Sequence, residues 1–152
     1  MAHNFKQFPE LTNSQMNFYY FDSPHQQITE SFDAKVIKVH DGDTIRVTCN
    51  FRDFNFPIRF SNILAPELNE DGGVESRNWL AEQILGKDVE IVVDWQNRVE
   101  KWGRLLGEVK HMGLDVGEMS IESGHAINLD EERGKIDDII LLLGDEDYYI
   151  GE

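Results

Sequence analysis

Cysteine is nearly missing from this chain. Cys49 stands alone among 152 residues, which excludes an internal disulfide and says little about redox compartment. Basic residues are also scarce, 14 against 29 acids, for a formal charge of −15. Such a surface repels polyanions at long range, which argues against a nucleic-acid coat held by counterion release and leaves room for an enzyme with a small basic cleft. No apolar run approaches the roughly 18 residues of a membrane span. The N-terminus has no basic segment followed by an apolar stretch, so no secretory signal is read. The cytoplasm is therefore the default expectation, with secretion open if a signal has been removed. Prolines number four, and Pro57, which cannot donate to a ladder, is expected near the start or edge of its strand. There is no internal repeat.

The hydrophobic fraction of 40% with 16 aromatics fits one globular domain able to bury a core without staples. The acidity is uneven. Residues 1–33 carry one Lys against four acids, residues 129–152 two basic residues against nine acids, and residues 34–128 eleven against sixteen. Residues 1–31 are rich in Asn, Gln and Ser around the aromatic knot "FYYF", and are expected to form an irregular arm whose aromatics pack on the body, or else dock a protein partner. From Phe32 the pattern has period two. "FDAKVIKV", "TIRVTCNF" and "FPIRFSNI" predict three strands in hairpin succession. A helix is expected over Val74–Leu85, with Leu80, Ile84 and Val74 or Ala81 on one face and Gly86 at its stop. The strands "DVEIVVDW" and "RLLGEVKHM" follow, separated by the charged turn "QNRVEKWG". A short helix is expected over Asp115–Glu122, closed by "GHAI", and an amphipathic helix near Glu132–Leu143. The fold class implied is α+β: a five-stranded OB-type barrel with about three helices, spanning residues 32–145, then an acidic tail over 146–152.

Four polar side chains fall where these strands end or turn. "HDGDTIRV" places Asp43 in what is at least a hairpin turn, since Asp-Gly is a strong hairpin signal; a metal ligand is the other reading. Arg59 lies among apolar neighbours, where a salt bridge to a carboxylate or a functional contact would offset its burial. Arg104 opens the fifth strand, as a solvated charge or as a ligand contact. Glu67 follows Pro66, as a helix-entry carboxylate or as a base. Together they match what phosphodiester cleavage asks for. A turn aspartate offers a hard oxygen to a divalent cation. Two guanidinium forks suit phosphate oxygens and the charge that develops on them. A carboxylate can take the proton of attacking water.

In the order "VIKVHDGDTIRV", "IRFSNILAPE", "GGVESRNWLAEQIL", "EKWGRLLGEV" and "MSIESGHAI", residues 34–127 resemble the staphylococcal nuclease (thermonuclease) family. The resemblance implies a five-stranded OB barrel capped by three helices, acting as a calcium-dependent phosphodiesterase that cuts DNA and RNA with little sequence preference to leave 3′-phosphates. By motif, it implies Asp43 and the main-chain carbonyl of Ala65 as metal ligands, Arg59 and Arg104 as phosphate-clamping arginines, and Glu67 as general base. It also implies Lys101 and Trp102 beside a terminal phosphate of the bound nucleotide.

Two departures stand out. Leu64 occupies the position of the family's second metal carboxylate and cannot ligate. Calcium binding should therefore weaken or shift toward Mg²⁺ or Mn²⁺, unless Asp41 is recruited or Glu67 ligates and loses its freedom as base. Asn62 is a poor substitute, about 6–7 Å back along the strand. After "GHAI" the chain reads "NLDEE" where the family commonly has a base-stacking tyrosine; the acids Asp130–Glu132 are either a solvated first helical turn or a shield that imitates substrate. The alternative to an enzyme is an inactive OB module that binds single-stranded nucleic acid or a protein partner, through the aromatic arm or the acidic C-terminal segment.

Overall fold

The computed structural model describes residues 3–100 and 102–129. The expected C-terminal helix, the acidic tail, Asp130–Glu132 and Lys101 lie outside them.

The period-two stretches become β1 (Phe32–Asp41), β2 (Thr44–Cys49) and β3 (Arg52–Phe60). A two-residue strand β4 (Ile63–Leu64) leads to helix α2 (Gly73–Ile84), followed by β5 (Asp88–Val92) and β6 (Leu105–His111). Then come β7 (Leu114–Asp115), helix α3 (Val116–Glu122) and β8 (Ile127–Asn128). β1 is long enough to serve two partners. Its first half pairs antiparallel with β5 and most of its length with β2, across two register shifts that bend it. β3 pairs antiparallel with β2 and parallel with β6 over Ile58–Phe60. This last pairing closes β3-β2-β1-β5-β6 into a five-stranded barrel. The small pair β4–β8 sits beside it.

Alternate residues of each strand point inward. Val36, Ile45, Val47, Ile58, Phe60 and Ile91 are all shielded from solvent, and Leu80 and Ile84 of α2 plug the same core. At about 25 cal/mol per Å² of apolar surface buried, this is the main favourable contribution to folding. Val74 is exposed, and the buried stripe of α2 runs Gly73–Ser76–Leu80–Ile84 instead. Pro57 lies inside β3, opposite Arg46, one residue before the parallel ladder to β6 begins. Its missing N–H therefore falls where the strand still has an open edge.

The arm departs from expectation. Thr12 accepts a hydrogen bond from the Gln15 amide while Gln15 reaches back to the Thr12 amide. This capping box starts a helix, α1 (Asn13–Tyr19), continued by a 3₁₀ turn at Tyr20–Asp22. Phe18 and Phe21 of the aromatic knot do not anchor it, being 78% and 96% exposed. The anchor is ionic and buried. The Glu10 carboxylate lies 2.5 Å from Arg52 Nη1 and 3.4 Å from Arg98 Nη2. Arg98 also donates to the carbonyls of Ile28 and Leu11. No helix among the described residues is long and apolar enough to cross a membrane.

Candidate active site

The turn between β1 and β2 is pressed from behind by α2. A Cβ on Gly42 would meet Ser76 Oγ at 2.0 Å and Ala65 Cβ at 2.7 Å, so only glycine fits there. Ser76 is fixed in turn by donating to the His125 carbonyl. Within the turn the Asp43 amide donates to Asp41 Oδ1 at 3.1 Å. The Asp43 side chain then points into the barrel mouth and is almost wholly buried.

Three donors converge on it. The Ala65 amide reaches Oδ2 at 2.9 Å, the Thr44 hydroxyl donates to Oδ1 at 3.3 Å, and Arg59 Nη2 lies 3.3 Å from Oδ2. Arg59 also donates through Nη1 to the carbonyls of Phe60 and Ile63, the latter at 3.0 Å. These bonds hold its guanidinium against β4. Arg104 enters from the far side. Its Nη1 donates to Thr44 Oγ1 at 3.2 Å, while Nε and Nη2 grip the two oxygens of Glu100 at 3.0 Å each. Glu100 Oε1 additionally accepts the Arg104 amide. The bidentate bond to Glu100, with the charges of Asp43 and Asp41 nearby, makes Arg104 hold its proton more tightly than a free guanidinium does.

Asp43, Asp41, Arg59, Ala65 and Arg104 thus form one connected cluster. Glu67 lies two residues beyond Ala65 on an exposed loop. Its amide donates to Glu70 Oε1 at 2.7 Å, and among the described residues its carboxylate makes no hydrogen bond or ion pair with the cluster. Trp102 stands at the rim, largely exposed. Asn62 faces elsewhere, donating to Asp115 at the start of α3. Glu100 went unassigned in the sequence, although its placement four residues before Arg104 across a glycine turn was a readable signal.

Burial pushes the Asp43 carboxyl up from 3.8 to about 6, the Arg59 charge pulling the other way and the Asp41 carboxyl beside it adding to the rise. Between those values the folded protein keeps a proton that the unfolded chain has lost. Stability therefore falls as pH rises through that window, and the full cost is present above it. Each tenfold change in proton affinity is worth about 1.4 kcal/mol, so Asp43→Asn is expected to stabilise the metal-free protein by up to about 3 kcal/mol at pH 7.5. Thermal melts in EDTA at pH 7.5 and 3.5 check this, with the gain vanishing at the lower pH.

Among the described residues no three His, Cys, Asp or Glu side chains gather as a metal cage. Leu64 pairs with Ile127 and is partly exposed. The two carboxylates of the turn, Asp43 and Asp41, are the acidic side chains a cation could take here. Asp43 and Asp41 are neighbouring carboxylates whose mutual repulsion a divalent cation would relieve. A hydrated ion such as Mg²⁺ is commonly held by one or two carboxylates together with substrate phosphates.

No family model matches the chain. It is 33% identical over 94 residues to an Escherichia coli protein named uncharacterized endonuclease, across 61% of this chain and 58% of that protein. It is 31% identical over 104 residues to an uncharacterized Bacillus anthracis protein, across 64% of this chain and 48% of the other. It is 38% identical over 71 residues to a rice protein named probable staphylococcal-like nuclease, across 47% of this chain and 18% of that one. Barrel and relatives together fit a staphylococcal-nuclease-like fold. The chain spans about half the length of the bacterial relatives it matches and far less of the plant one.

Proposed function

We propose that this protein is a divalent-metal-dependent phosphodiesterase that hydrolyses DNA or RNA with little sequence preference, leaving 3′-phosphates. The observation that carries the reading is the convergence on Asp43, at one barrel mouth, of Arg59 directly and of Arg104 through the Thr44 hydroxyl. The names of the partial relatives support it.

In this reading the phosphate seats between the two guanidinium groups. Both are pre-oriented by acceptors of the fold, so neither has to be ordered when charge builds on the phosphate oxygens. Asp43, Asp41 and the Ala65 carbonyl would hold the cation, Ca²⁺ or, given Leu64, Mg²⁺ or Mn²⁺. The ion adds positive charge against the phosphate. Glu67, on the open loop, is free to approach a water and accept its proton. Incubating labelled linear DNA and RNA with millimolar Ca²⁺, Mg²⁺ or Mn²⁺, against an EDTA control, tests this directly. Degradation that needs a cation and is abolished by Glu67→Gln is the expected result, and a folded protein inert with every cation overturns it.

Leu64 favours a second reading, an OB module that binds single strands or a protein partner without cutting. One substitution separates the two. Leu64→Asp adds a carboxylate one residue from the Ala65 amide that touches Asp43. For an enzyme with a weak cation site it is expected to lower the metal concentration for half-maximal cleavage by about tenfold or more, ligand charge being a main determinant of affinity. Strong cleavage arising in the variant from an inert parent would instead mark the natural chain as the binding module.

A further inference from the structure

The arm and the barrel together line a cleft of about 170 Å³, with Arg104, Trp102, Arg46 and Lys6 among its walls. Its seam is tight. The Phe8 ring of the arm lies on Gly103, where a Cβ would come within 2.7 Å of it and where φ is +88°. The arm is therefore packed directly onto the turn that carries Trp102 and Arg104. On a chain of charge −15, this cleft gathers three cations, Lys6, Arg46 and Arg104, against one acid, Glu10. Glu10 is already engaged by two buried arginines and Arg104 by Glu100, so Lys6 and Arg46 supply the local positive charge of the cleft in an acidic surface. Arg46 is held at its wall by donating to Asn55 Oδ1 at 2.7 Å. The Trp102 ring, 61% exposed, forms its aromatic rim.

We propose that this cleft is a strand-binding subsite that takes the phosphodiester backbone of single-stranded nucleic acid leaving Arg104. Lys6 and Arg46 contact successive phosphates, and Trp102 stacks on a base. A positive groove with an aromatic platform suits an unpaired strand, whose bases expose their faces. The inference rests on the phosphodiesterase reading for the place of Arg104, but it makes a binding prediction of its own.

The test is fluorescence anisotropy in EDTA, where no cleavage interferes, with a fluorescein-labelled twelve-residue oligothymidylate and a labelled hairpin duplex of equal length. The wild type is expected to bind the single strand more tightly than the duplex. Lys6→Glu and Arg46→Glu should each weaken that binding about tenfold and lower the slope of log affinity against log salt by about 0.7. Arg46→Lys should retain most of it. Unchanged binding in both reversal variants, equal binding of duplex, or no binding by the wild type overturns the subsite. The two readings fail separately. Cation-dependent cleavage with unaltered variant binding removes only the subsite, and strand binding that obeys these changes without cleavage removes only the phosphodiesterase.

Discussion

Arg104→Ala is expected to lower the single-turnover rate of phosphodiester cleavage by two to three orders of magnitude, the usual loss when one pre-oriented donor to a developing oxyanion is removed. The effect should be this large because of how Arg104 is held. Glu100 takes its Nε and Nη2 and its own amide, leaving Nη1 directed toward Thr44. Thr44 accepts from Arg104 and donates to Asp43, so guanidinium, hydroxyl and carboxylate stand in one hydrogen-bonded line before substrate arrives. Arg104→Lys keeps the charge but cannot grip both oxygens of Glu100 while reaching forward, and should recover only a small part of the rate. A folded variant within a few-fold of wild type in a saturating single-turnover assay would remove Arg104 from the reaction.

The barrel was legible because its cause is local. Strands with one face in a core alternate every second residue, and Phe32–Phe60 and Asp88–His111 carry that alternation openly. The clustering of Asp43 with Arg59 and Arg104 was legible in part, since all three sit at strand ends or turns. What periodicity cannot see is pairing across the chain. Arg98 belongs to a charged turn that reads as solvated surface, yet its partners Glu10 and Leu11 lie more than 85 residues earlier. Pattern likewise ranked the aromatic knot as the anchor of the arm, because burying rings is cheaper than burying charge. The fold instead uses the costlier contact, with Phe18 and Phe21 left in solvent. Glu67 shows the opposite limit: its position in the sequence suggests the base, while its side chain has no contact with the cluster it would serve.

Glu10→Ala should be the most damaging single substitution for stability outside the barrel core, at about 3–5 kcal/mol, the usual cost of breaking a buried ion pair. The Arg52 side chain is fully buried, with its guanidinium carbon 4.5 Å from the Phe56 ring centre and 5.0 Å from that of Phe54, and Arg98 is nearly as enclosed. Burial already lowers the proton affinity of Arg98, the Glu10 charge restores part of it, and the Arg52 charge acts against it. Removing this carboxylate leaves two guanidinium groups buried together with no counter-charge among the described residues. Glu10→Gln keeps the volume and should cost nearly as much, which separates lost charge from lost packing. Arg52→Met should cost less, because Glu10 keeps Arg98 and the methionine fills the space between the rings. Urea unfolding of the three variants measures the order. Hydrogen exchange at the Leu11 and Ile28 amides, held by Gln27 and Glu10, reports whether the arm lifts before the barrel opens. A Glu10→Ala loss under 1 kcal/mol, or unchanged exchange at both amides, would mean that the arm is held by its other hydrogen bonds and not by this charge.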